Sequence, residues 1–150
     1  MELSDLYSDI IKEHSASQHN KRHISNPEVT VPGINPSCGD EIELELRTED
    51  ELIADGSFTG AGCAISQASV SIMLDLVRGK TRQEARELAE LFLEMTRRRE
   101  LSDEESERLE EAVALQGISN MPARVKCATM PWHTLLKAID KLEKGEKGSV

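Results

Sequence analysis

Leu3, Leu6, Tyr7, Ile10 and Ile11 recur at helical spacing, which predicts an amphipathic helix over residues 3–14 with Ser, Asp, Lys and Glu on its outer face. Residues 15–36 are polar and carry the breakers Asn26-Pro27, Pro32-Gly33 and Asn35-Pro36, so they read as loop with room for one short strand. From Glu41 to Thr48 apolar and charged residues alternate, placing Ile42, Leu44 and Leu46 on one face of a half-buried antiparallel strand. After a turn at Glu49-Asp50-Glu51, Leu52, Ala54, Gly56 and Phe58 alternate again. The expectation is a second strand ending in a flexible Gly60-Ala61-Gly62 loop.

The period then changes to 3.6. Ile65, Ala68, Ser69, Ile72, Leu76 and Val77 mark a helix that closes at Gly79. Thr81 with Glu84, and Ser102 with Glu105, match the capping box, in which a hydroxyl and a carboxylate satisfy backbone donors left over at a helix start. They predict helices over residues 82–99 and 103–115. Ala85, Leu88, Ala89, Phe92 and Met95 form the buried stripe of the first. The second stops at Gln116-Gly117, and Pro131 opens a last helix that buries Trp132, Leu135, Leu136, Ile139 and Leu142, with a frayed tail from Gly145. Without internal repeats or low-complexity tracts, the pattern describes one α+β domain over residues 1–150, a small antiparallel sheet packed against several helices.

Composition narrows the function. A chain of 150 residues supports one core, and with aromatics at 3 % that core is aliphatic, which disfavours cofactors held by aromatic stacking. A net charge of −10 repels phosphate backbones, so nucleic acid is not an expected partner. The opening Met1-Glu2-Leu3-Ser4-Asp5 lacks a basic leader region, and no apolar run approaches the ~20 residues that cross a bilayer. The expected location is cytoplasmic, without a membrane partner.

In a reducing compartment three cysteines point to metal binding, catalysis or plain burial before disulfides. Cys38 sits in Asn35-Pro36-Ser37-Cys38-Gly39-Asp40, where a glycine between thiol and carboxylate lets a tight turn aim both at one ion. Cys63 follows Gly60-Ala61-Gly62 and begins a helix, where backbone N–H groups favour a thiolate. Cys127 lies in or beside the approach to the last helix. Three thiolates and a carboxylate complete a tetrahedral zinc shell. The separations of 25 and 64 residues match no zinc finger, however, and a free cysteine is commonly a small buried hydrophobe. Spacing leaves both readings open.

The neighbours of the three cysteines add what spacing lacks. Asn35-Pro36-Ser37-Cys38-Gly39-Asp40, Gly60-Ala61-Gly62-Cys63-Ala64-Ile65-Ser66-Gln67-Ala68-Ser69 and Ala123-Arg124-Val125-Lys126-Cys127-Ala128 resemble, in order, the three signature motifs of the SufU/IscU/NifU-N family, over roughly residues 3 to 143. The resemblance implies that family's compact α+β fold. A long insertion at about 81–118, and Lys126 where IscU-type scaffolds carry histidine, make the chain most similar to the SufU branch. For that branch the resemblance implies a zinc ion on Cys38, Asp40, Cys63 and Cys127, with Cys38 as persulfide acceptor for a SufS-like cysteine desulfurase and relay to downstream cluster-assembly proteins. For the IscU branch it implies a non-enzymatic scaffold on which Cys38, Cys63 and Cys127 ligate a [2Fe-2S] cluster. A structural zinc domain that binds a protein partner is a third reading.

Other residues carry less. Arg124, three positions before Cys127, can stabilise thiolate or persulfide charge or pair with a surface carboxylate. His14, His19 and His23 fall in a polar stretch that reads as a solvated surface, and relatives often carry Pro-Arg-Asn in that region. His133 faces solvent or a partner. Arg97-Arg98-Arg99 reads as a helix C-terminus compensated by cations.

Overall fold

The computed structural model describes residues 3–97 and 99–148, with side chains placed for 9–97 and 99–145. Along the described residues run α1 (Leu3–Ala16), β1 (Val29–Asn35), β2 (Asp40–Glu49), β3 (Leu52–Ala61), α2 (Ala64–Val77), α3 (Arg82–Thr96), α4 (Asp103–Leu109), a 3₁₀ segment (Glu110–Asn120) and α5 (Pro122–Gly148). The strands form an antiparallel meander in the order β1-β2-β3. Alternation in β2 does what the sequence predicts, burying Ile42, Leu44 and Leu46 while Glu41 and Glu43 stay outside. Glu45 departs from the pattern. It is buried on the opposite face, where Ser57, His23 and the backbone N–H of Ile24 bind its carboxylate.

The polar stretch before the sheet holds a full seven-residue strand, because Pro32 lies on an edge strand where a missing N–H costs no ladder bond. In β3 the expected alternation changes phase. Arg47 pairs with Asp55 but Thr48 pairs with Ile53, so Ala54 is an extra residue, and beyond this bulge Ile53 is buried while Leu52 is exposed. Gly60-Ala61-Gly62 is not a flexible loop. Glu41 pairs with Ala61, and Gly60 takes φ 121°, a conformation that a side chain would oppose by colliding with the Glu41 carbonyl.

Helices α2, α3 and α5 close the core over the sheet. Phe92 and Trp132, both fully buried, stack with ring centroids 4.1 Å apart and planes 11° apart. Helix α2 ends before Gly79 (φ 86°), and both capping boxes form as predicted. The helix predicted to reach residue 99 stops at Thr96, with Arg97 at its C-cap and Arg99 turned back onto Glu94 and Glu105; Arg98 lies outside the described residues. The helix predicted over 103–115 breaks at Leu109, since Glu110 has φ 50°, and the chain continues as 3₁₀ to Asn120.

The largest correction concerns the last helix. Pro131 does not open it but lies inside it, nine residues after the helix starts at Pro122. Proline removes the N–H that would bind the carbonyl of residue 127. Hydroxyl groups fasten the helix on either side: Thr129 donates to Val125 O, Ser69 to Ala128 O, and Thr134 to Met130 O. Helix α5 is described as far as Gly148; residues 149 and 150 lie outside the described residues. His14 is also corrected. Where α1 packs on α2 it is 91 % buried, with Nδ1 2.9 Å from Ser71 Oγ and Nε2 3.2 Å from Glu111 Oε1. His19 and His23 are exposed, as expected, with His23 paired to Glu45.

Candidate metal centre

Two close approaches build the site. A side chain at Gly33 would run into Thr134 and Met130 of α5, so the glycine lets that helix cross tightly over β1. This seats Cys127, in the second turn of α5, above the end of the β1–β2 hairpin. The hairpin closes Asn35 against Asp40 through Pro36-Ser37-Cys38-Gly39, with Gly39 at φ 70° and the Cys38 N–H donating to Asn35 O at 3.2 Å.

Ligand atoms of Cys38, Asp40 and Cys127 all lie within 4.8 Å of one another. Cys38 and Cys127 are free thiols with Sγ atoms 2.9 Å apart. Asp40 is fully buried, and burial pushes its carboxyl up. Hydrogen bonds from the Cys63 N–H, Cys127, Ser66 and Asn35 outweigh that and hold it below the ordinary carboxylate value. Among the described residues no ion pair includes Asp40. A buried carboxylate kept ionised by neutral donors and facing two thiols is short of a cation, because buried charges are paired or coordinate metals. The donor set, thiolate sulfur with one carboxylate oxygen, fits zinc.

Cys63 stands beside this group and not within it. It is the N-cap of α2, its N–H donates to Asp40 Oδ1 at 2.8 Å, and its Sγ lies 3.8 Å from Ser66 Oγ. Cys127 is pushed above the ordinary thiol value by burial and by the Cys38, Cys63 and Asp40 groups around it, so Cys63 is electrically part of the site. Arg124 joins them from the first turn of α5: hydrogen bonding to Cys127 and the charges of Cys63, Cys127 and Cys38 hold its guanidinium above its usual value. Lys126 is exposed and points to no member of the group in any described contact.

Two participants had no assigned role in the sequence. Asn35 is buried and its Nδ2 donates to Asp40 Oδ2 at 3.3 Å and toward Cys127 Sγ at 3.6 Å. Ser66 donates to Cys63 O at 3.1 Å and bonds Asp40. The signal for Asn35 was its place: closing a four-residue loop, it stands opposite Asp40 in the hairpin register.

The comparisons with known proteins bear on the family and the fold. Residues 6–128 match the family model of the NifU-like N terminal domain. The zinc-dependent sulfurtransferase SufU of Bacillus subtilis is 38 % identical over 143 residues, 95 % of either chain. The iron-sulfur cluster assembly scaffold protein IscU of Streptococcus pyogenes is 38 % identical over 139 residues, 93 % of this chain and 86 % of the other. Among solved structures, a candidate iron-sulfur cluster assembly scaffold protein for the SUF system from Fervidobacterium islandicum superposes with a TM-score of 0.83 at 35 % identity, over 92 % of this chain and 99 % of that one. With the motif cysteines gathered around Asp40 and the fold shared over nearly its whole length, the chain belongs to the NifU-like N-terminal domain family.

Proposed function

We propose that this protein is a zinc-binding sulfur acceptor in iron-sulfur cluster biogenesis, with Cys38 taking the sulfane sulfur of a cysteine desulfurase persulfide and handing it to cluster-assembly proteins in the cytoplasm. The observation that carries the reading is the convergence of Cys38, Asp40 and Cys127 on one point, with Cys38 the more exposed of the two thiols. The relative named a zinc-dependent sulfurtransferase supports it. Among the described residues no helix is long and apolar enough to cross a membrane.

Cys38, Asp40, Cys63 and Cys127 would hold the ion. Bound zinc supplies a redox-inert Lewis acid that keeps the thiols deprotonated. The rest is the work of the chain. Cys38 is half-buried on a short loop that turns at Gly39, while Cys127 and Asp40 are anchored in buried elements. The Cys38 thiolate attacks the outer sulfur of the desulfurase persulfide, a new S–S bond forms, and the desulfurase cysteine leaves as thiolate. Arg124 offers a positive charge to the persulfide anion formed on Cys38.

A second reading, a scaffold for a [2Fe-2S] cluster, is favoured by one observation: relatives named as scaffolds are as similar as the sulfurtransferase. Elemental analysis of aerobically purified protein, followed by anaerobic addition of iron and sulfide to the apoprotein, separates the two. One zinc per chain and no stable visible chromophore is the expected result; a stable chromophore with little zinc would replace the relay by the scaffold.

A further inference from the structure

We infer that Asn35 is a positioning residue of the metal centre, one that makes Cys127 the held sulfur and leaves Cys38 the free one. The inference rests on the metal-binding reading above and deepens it. Asn35 touches three parts of the site at once. Its carbonyl accepts the Cys38 N–H at 3.2 Å, and its Nδ2 reaches Asp40 Oδ2 at 3.3 Å and Cys127 Sγ at 3.6 Å. Both side-chain partners are acceptors, so the amide nitrogen faces them and its two hydrogens serve one each. Asn35 is 96 % buried, which removes water as a competitor for those bonds.

The two sulfurs, 2.9 Å apart, are therefore held unequally. Cys127 receives the Asn35 amide and is hydrogen-bonded by Arg124, and it sits on a long helix packed against the sheet. Among the described residues the Cys38 thiol hydrogen-bonds only to Cys127, and it rides on a four-residue loop. An N–H···S bond withdraws density from a thiolate and fixes its direction, and partners of this kind typically change metal affinity by ~10–100-fold when removed. Asn35 thus orients the carboxylate and one sulfur as a pair, while the Cys38 sulfur has Cys127 as its one hydrogen-bond partner among the described residues. The same contacts explain why an uncharged amide is buried at a hairpin end, a position that usually faces solvent.

The test loads wild type, Asn35→Ala and Asn35→Leu with Co(II) alone and reads affinity by chelator competition together with the sulfur-to-cobalt charge-transfer band. Leucine keeps the branched side-chain shape and fills the space that alanine would leave empty while removing the amide, so it stands in if the alanine variant fails to fold. The expected result is a ~10–100-fold loss of affinity in both variants. A move of the band to longer wavelength is expected too, because a sulfur lone pair relieved of its N–H donor lies higher in energy. Melting of the chelated proteins controls for a merely structural role. Lowered melting with an unchanged band and affinity would overturn the inference while leaving the metal site intact. A wild type that takes up no cobalt would overturn both the inference and the reading beneath it.

Discussion

Gly62→Ala tests the site without replacing any ligand. A Cβ built at Gly62 would lie 2.5 Å from Ser66 Oγ, 2.6 Å from Asp40 Oδ1 and 3.2 Å from Asp40 Cγ, so one or both side chains must move. Neither moves without loss. Asp40 Oδ1 accepts the Cys63 N–H at 2.8 Å, and Ser66 Oγ donates to Cys63 O at 3.1 Å. Displacing the carboxylate breaks a hydrogen bond to a charged group, which contributes about 1.5–3 kcal/mol. For a domain of this size that corresponds to a fall in Tm of roughly 3–12 °C in the metal-free protein. Zinc affinity should drop about 10–100-fold, although all three thiols and the carboxylate remain. Gly117→Ala is the control, since a Cβ there meets nothing within 4 Å. The measurements are thermal melts of chelated protein and zinc competition with a chromophoric chelator. If Gly62→Ala behaves like Gly117→Ala in both, Asp40 is not held as the geometry requires.

Two further outcomes follow from the packing and the charges. Phe92→Ala removes a fully buried ring stacked on Trp132 and should cost about 3–5 kcal/mol in chemical denaturation; a loss under about 1 kcal/mol would mean the α3–α5 seam is not part of the core. Asp55 is pushed up by burial, but the hydrogen bonds from Arg22 and the Gly56 N–H, with the charges of Arg22 and Arg78, hold it below its ordinary value. A carboxylate depressed in the folded state contributes stability above its unfolded pKa and loses it as pH falls through the folded one. The Tm gap between wild type and Asp55→Asn should therefore be full near pH 7 and close below about pH 4. A gap that widens in acid would contradict the sign.

The elements most legible in the sequence were those whose local rules agree with their surroundings. Ile42, Leu44 and Leu46 alternate because β2 is central and one of its faces is buried, and Thr81 and Ser102 cap helices through contacts three residues away. Where tertiary packing overrides a local rule, the sequence misleads. Pro131 reads as a helix start, yet bonds from Ser69, Thr129 and Thr134 carry α5 through it. The Ala54 bulge reverses the phase of β3 with nothing in the residue pattern to announce it. His14 reads as surface because its partners, Ser71 and Glu111, lie 57 and 97 residues away.

The site was legible as motifs and illegible as geometry. Glycines and a carboxylate around Cys38 and Cys63 mark ligand loops, but only the crossing of α5 over Gly33 brings Cys127 to them. The four residues assigned as one ligand set separate into three that converge and Cys63, which touches Asp40 through its backbone. Asn35 was visible in its motif but not as a contact, since a side chain's aim at a sulfur 92 residues away follows from the fold alone.

Sulfur localisation tests the central claim most directly. The zinc-loaded protein is reacted briefly with a cysteine desulfurase and cysteine, the persulfides are trapped, and the added sulfur is assigned to a peptide by mass spectrometry. The account predicts the extra sulfur on Cys38, with none taken up by Cys38→Ser. Sulfur found reproducibly on Cys63 or Cys127, with Cys38 unmodified, would contradict it.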